Sequence, residues 1–87
     1  MSANDTSIDT IQNFLVATIA RFTKQPADRI PHDAVLIDLG LQSIDAVILS
    51  GEVEDQFSIE LDPSTIFEHD TLDSFAAEIL RRREKHG

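Results

Sequence analysis

One serine, Ser43, stands where a hydroxyl could do chemistry. It lies in the run Asp38-Leu39-Gly40-Leu41-Gln42-Ser43-Ile44-Asp45, between a proline-broken stretch and a periodic one. Three roles are open to it. A hydrolytic nucleophile wants a Gly-x-Ser-x-Gly elbow after a strand, with a histidine and an acid in support. Here Asp45 takes the place of the second glycine, and His32, His69 and His86 are not spaced to serve as a base. A helix cap is the plain alternative, because serine is a preferred N-cap and a helical pattern starts here. The third role is covalent modification through phosphate. A phosphate on a serine at a helix start meets free backbone N–H groups and the positive end of the helix dipole. Gly40 and the loop around it would leave one side open to a modifying enzyme.

Composition removes other chemistries. Without cysteine there is no disulfide scaffold, thiolate zinc site or cysteine nucleophile. No Asp-x-Asp-x-Asp-Gly loop with a distal Glu is present, so no metal site is expected. Sixteen acids against seven Lys and Arg give a net charge of −9. From Ile30 to Leu80 there is no Lys or Arg, while twelve Asp and Glu fall in that window. A field of one sign repels nucleic acid and anionic membranes and attracts basic protein surfaces. With no Trp or Tyr, base stacking is poorly supplied. No apolar run reaches membrane-spanning length and the first residues lack a basic start, so a cytoplasmic protein is expected, with neither nucleic acid nor membrane as partner.

The elements that must position Ser43 are all helical. Thr6 or Ser7 can cap a first helix, whose apolar residues Ile8, Ile11, Phe14, Leu15, Ile19 and Phe22 keep helical spacing to about Thr23. Lys24 to Gln42 is aperiodic and broken by Pro26, Pro31 and Gly40. Its apolar residues Ile30, Val35, Leu36, Leu39 and Leu41 are expected to pack across the core, with a turn of helix around Asp33 to Leu36. Ser43 to Phe57 reads as the second helix, with Ala46, Leu49, Val53 and Phe57 facing inward. A second stripe, Ile44, Val47, Ile48 and Gly51, is rotated away from the first; it either packs on a neighbour or stays partly exposed for a partner. Asp62-Pro63 starts a short helix to about Glu68, from which Ile66 and Phe67 are expected to plug the core. Thr71 caps the last helix, with Leu72, Phe75, Ala76, Ile79 and Leu80 inward and Arg81 to Arg83 at its end. No strand is expected. The fold class is all-α: a four-helix bundle with a long loop between helices 1 and 2 and a short third helix. It forms one domain over 1–87, with an ordered core from about residue 6 to residue 82.

The run around Ser43 resembles the attachment motif of acyl carrier proteins, usually Asp-Leu-Gly-x-Asp-Ser-Leu. The resemblance extends from about Ile8 to Leu80, through the periodic first helix, the long loop, the acidic second helix, Ile59-Glu60-Leu61 and the capped last helix. It implies that a phosphopantetheinyl transferase places 4′-phosphopantetheine on Ser43, within a site that includes Asp38, Gly40 and Gln42. The arm's thiol then carries acyl groups as thioesters, and the protein is not itself an enzyme. The resemblance also implies a docking face of Ile44, Asp45, Val47, Ile48, Glu52, Glu54, Asp55 and Glu60. Its partners would be acyltransferase, ketosynthase or acyl-activating ligase enzymes with basic patches, and the carrier would be a monomer.

Two departures refine the expectation. Gln42 replaces the usual Asp before the serine, so Ser43 is expected to share the capping role. Ile48 stands where carriers of fatty acid synthesis usually have an acid, and Gly51 where a larger apolar residue is common. The Gly-Leu-Gln-Ser-Ile and Ser-Gly-Glu-Val-Glu-Asp runs look closer to polyketide-type carriers, and the Gly-His pair often preceding the serine of peptidyl carriers is absent. The reading is a stand-alone carrier for polyketide or related specialised biosynthesis. The alternatives are a carrier of fatty acid or lipid acyl chains, or an unmodified acidic adaptor.

Overall fold

The structure, a computed structural model, describes residues 7–86. Helix α1 spans Ile8–Thr23, and Ser7 caps it by accepting the Thr10 N–H on its hydroxyl; Thr6, the other expected cap, lies outside the described residues. The helix stops at Lys24, whose left-handed backbone (φ 59) turns the chain so that the Gln25 N–H also reaches the Ala20 carbonyl, at 3.2 Å. Helix α2 spans Ser43–Phe57 and α3 spans Leu72–His86. Between them lies the short helix Pro63–Glu68, of 3-10 type, capped by Asp62, which accepts the Ser64 N–H at 2.9 Å. The all-α, four-helix class expected from the sequence is the class observed.

The core is the meeting of the inward stripes. Ile11, Leu15 and Ile19 of α1, Ala46, Leu49 and Val53 of α2, and Leu72, Phe75, Ala76 and Ile79 of α3 are fully buried. Helices α1 and α2 run antiparallel: Phe14 meets Phe57 edge to face at 5.4 Å, while Arg21, two turns on, pairs with Glu52 at 2.8 Å. The segment after α2 is extended, with Ile59 and Leu61 buried and Ser58 and Glu60 exposed. Its alternation serves core packing rather than a sheet.

The long first connection departs from expectation in three ways. Its helical turns are 3-10 turns at Ala27–Arg29 and Leu36–Leu39, not around Asp33 to Leu36. Only Ile30 and Leu36 of the five expected apolar anchors are buried; Leu39 and Leu41 are half-buried and Val35 is exposed. The reason lies in pairing rather than hydropathy. The Leu36 N–H donates to the Asp70 carbonyl and the Leu72 N–H to the Ala34 carbonyl, both at 2.9 Å, forming an isolated antiparallel bridge between Val35 and Thr71. Backbone bonding turns Ala34 and Leu36 inward and Val35 outward, as the two-residue period of extended chain demands.

Two further corrections concern α3 and the short helix. Phe67 does not plug the core; it is 65% exposed, and Ile66 alone is buried there. Helix α3 continues through Arg81–Arg83 to His86, so Arg81 and Arg82 lie inside it. Both pair with Glu78, and Arg82 Nη1 also donates to the Glu60 carbonyl at 3.3 Å. Together Arg81 and Arg82 hold the Glu78 carboxyl far below its ordinary range, at about 2.

Candidate functional site

Ser43 is the first residue of α2, and its side chain is exposed. It is not the cap. Gln42 holds the N-cap position in extended conformation (φ −97, ψ 168), and its N–H donates to Asp45 Oδ2 at 3.0 Å. Asp45 thus supplies the backward-reaching half of a capping box and places a carboxylate in the first turn, where the helix dipole favours it. The expectation that Ser43 shares the capping work is corrected by this geometry. The serine hydroxyl is left on the surface at a helix N-terminus with no structural duty among the described residues.

The turn before Ser43 is made by Gly40. Its φ of +84 lies in the left-handed region, where side chains are strained. That turn ends the Leu36–Leu39 helical turn and aims the chain into α2, with Asp38 exposed beside it. Gln25 Nε2 braces the same corner from α1's end by donating to the Leu39 carbonyl at 3.3 Å.

Around Ser43 the exposed face of α2 is apolar. Ile44 is 60% exposed, Val47 50% and Ile48 44%, so these three residues of the second stripe are uncovered, while Gly51 is half-buried. The acids along and beyond it differ in their surroundings. Asp55 and Glu60 are exposed, and Glu52 pairs with Arg21. Glu54 is half-buried and accepts the Leu61 N–H at 2.8 Å, which fixes the chain leaving α2.

A cavity of about 310 Å³ opens beside this face. It is lined by residues 35–37, Leu41 and Ala46 together with Ile66, Phe67, His69 and Asp70. Leu41 precedes Ser43 by two residues and Ala46 follows it by three, so the cavity flanks the helix start. Ile37, at 86% exposure, and Phe67 are large apolar side chains at this site that pattern reading missed or placed inside. Neither has a local signature, because the Val35–Thr71 bridge that brings the two segments together joins residues far apart in sequence.

The family model that matches the chain describes a phosphopantetheine attachment site and covers residues 13–79. The chain belongs to this phosphopantetheine-attachment family. Its members carry 4′-phosphopantetheine, and this chain is a carrier domain of that kind. The residues present fit the group: a surface hydroxyl free of capping, at a helix N-terminus. A ferrichrome siderophore peptide synthetase of Schizosaccharomyces pombe is 29% identical over 84 residues, 95% of this chain. A phenolphthiocerol/phthiocerol polyketide synthase polypeptide of Mycobacterium tuberculosis is 40% identical over 50 residues, 58% of this chain. The chain spans only 2% and 3% of those proteins' lengths.

Solved carriers share the fold. A free-standing peptidyl carrier protein from an uncharacterized secondary metabolic pathway of Acinetobacter baumannii superposes with a TM-score of 0.82 at 22% identity, covering 88% of this chain and 96% of that one. The HMG-ACPI domain from the CurA module of Lyngbya majuscula gives 0.78 at 18% identity, covering 100% of this chain and 91% of that one. Among the described residues no helix is long and apolar enough to cross a membrane, and no His, Asp and Glu cluster could hold a metal ion.

Proposed function

We propose that Ser43 is the attachment residue and that the domain, not itself a catalyst, presents acyl intermediates to partner enzymes of a polyketide or related specialised pathway. The observation that supports this most directly is the division of labour at the start of α2. Gln42 and Asp45 cap the helix, so the Ser43 hydroxyl is free for an ester. The arm supplies the thiol that a cysteine-free chain lacks. The protein's own residues orient the attachment point and offer a surface beside it.

That surface is Ile44, Val47 and Ile48 with Asp45, Glu52, Asp55 and Glu60 around them. Its apolar centre would be covered by a partner, and its acids would steer basic patches toward it. The partners are a phosphopantetheinyl transferase and acyltransferase, ketosynthase or acyl-activating enzymes, met in the cytoplasm by a monomeric carrier. The similarity to both polyketide and peptide synthetases supports specialised biosynthesis over primary lipid synthesis. Mapping amide shifts on titration with a broad-specificity transferase tests the face. Shifts gathered on residues 43–55 and weakened by salt are expected; shifts confined to the basic end of α3 would contradict the proposal.

A further inference from the structure

Resting on the reading of α2 as a docking face, we infer that Arg21 of α1 is a specificity residue of that face: it neutralises Glu52 and turns away partners that bring a cation to that edge. Glu52 follows Ile48 by four residues and Asp45 by seven, so it shares their side of the helix. Among the described residues it is the one acid of α2 in an ion pair; the other pairs join Glu78 to Arg81 and Arg82 within α3. The chain from Ile30 to Leu80 has no Lys or Arg, so the cation must come from another element. Arg21 supplies it across the seam between α1 and α2, with Nη2 donating to Glu52 Oε1 at 2.8 Å.

The contact does little for folding. The Arg21 side chain is 64% exposed and that of Glu52 34%, and exposed pairs contribute little to stability. The guanidinium also lies over the Phe22 ring, 5.6 Å from its centroid, a cation–π contact that helps hold the arginine in place.

Its effect falls on what approaches. A partner's Lys or Arg arriving at this edge meets a like charge, and it must break the existing bond to Glu52 before forming its own. Like charges set against each other in this way reject wrong partners. Asp55, one turn beyond Gly51, is exposed and has no cation paired with it among the described residues. A basic patch is therefore read through Asp55 rather than Glu52. The partner that fits sets its cation at Asp55 and a neutral or acidic group against Arg21.

The test measures binding of the full chain to a broad-specificity phosphopantetheinyl transferase at low salt. The parent is compared with Arg21→Gln, Arg21→Lys, Glu52→Gln and the double variant Arg21→Gln/Glu52→Gln, each checked for folding by circular dichroism and for phosphopantetheine gain by mass. Arg21→Gln is expected to tighten binding about two- to fivefold, the range an exposed pair allows, and Arg21→Lys to show little of that gain. Glu52→Gln should weaken binding more in the Arg21→Gln background than in the parent, because only there is Glu52 open to a partner. Charges acting only at long range would give equal losses in both backgrounds. Equal losses, or an Arg21→Gln gain that persists undiminished without Glu52, would overturn the inference and leave the carrier reading intact. A folded parent that neither binds nor gains mass would overturn both.

Discussion

Asp45 Oδ2 accepts the Gln42 N–H at 3.0 Å, and this bond relieves Ser43 of any part in holding the start of α2. The cap and the functional residue are adjacent but separate. Asp45→Ala should therefore destabilise the fold by about 1 kcal/mol, the usual cost of losing a cap interaction. Thermal unfolding of a domain this size would register a drop of roughly 4–8 °C per kcal/mol. Ser43→Ala should stay within about 0.5 kcal/mol of the parent, as exposed substitutions do.

Glu54 and Asp55 are neighbours with opposite duties. Glu54 satisfies the Leu61 N–H, so Glu54→Ala should cost about 1–3 kcal/mol by orphaning that part-buried donor. Asp55 is exposed, so Asp55→Ala should leave stability within about 0.5 kcal/mol and weaken partner binding at low salt. Denaturant midpoints and partner affinities measured on both variants separate the two effects.

Glu78 ties stability to acid pH. Its carboxyl is held near 2, first by Arg81 and then by Arg82, against an ordinary value of 4.5. A depressed folded value means the contribution is complete above 4.5 and drains away as pH falls toward 2. Unfolding free energies of the parent and Glu78→Gln should differ most above pH 4.5 and converge on acidification. Curves that stay parallel would show that the arginines do not stabilise the folded carboxylate.

Ser50 is buried at 1% exposure, and its hydroxyl has no hydrogen-bond partner among the described residues. An unpaired buried polar atom is a cost rather than a support. Ser50→Ala should thus be neutral or raise stability by up to about 1 kcal/mol. A loss of that size in chemical denaturation would mean the hydroxyl is satisfied after all.

Local rules made the helices legible. Ser7, Asp62 and Thr71 are caps that can be read from residue type and position, and the inward stripes of α1, α2 and α3 follow from helical spacing. The second stripe of α2 was legible as a stripe, but its exposure was not, because spacing along one helix does not say which neighbours cover it. Position 42 was harder, because Gln is a poor cap by type and its role depends on Asp45 reaching back. The cavity was not legible. It depends on the Val35–Thr71 bridge, a backbone pairing between distant parts of the chain that no periodicity announces. That bridge, rather than hydropathy, exposes Val35, and it brings the first connection, with Ile37 and Leu41, to the Phe67–Asp70 segment.

The most direct test of Ser43 as the attachment residue is intact mass after incubation with coenzyme A and a broad-specificity phosphopantetheinyl transferase, run on the parent and on folded Ser43→Ala. The parent is expected to gain one phosphopantetheine group and the variant none. A folded parent that gains nothing, or a variant that still gains the group, would contradict the assignment of Ser43.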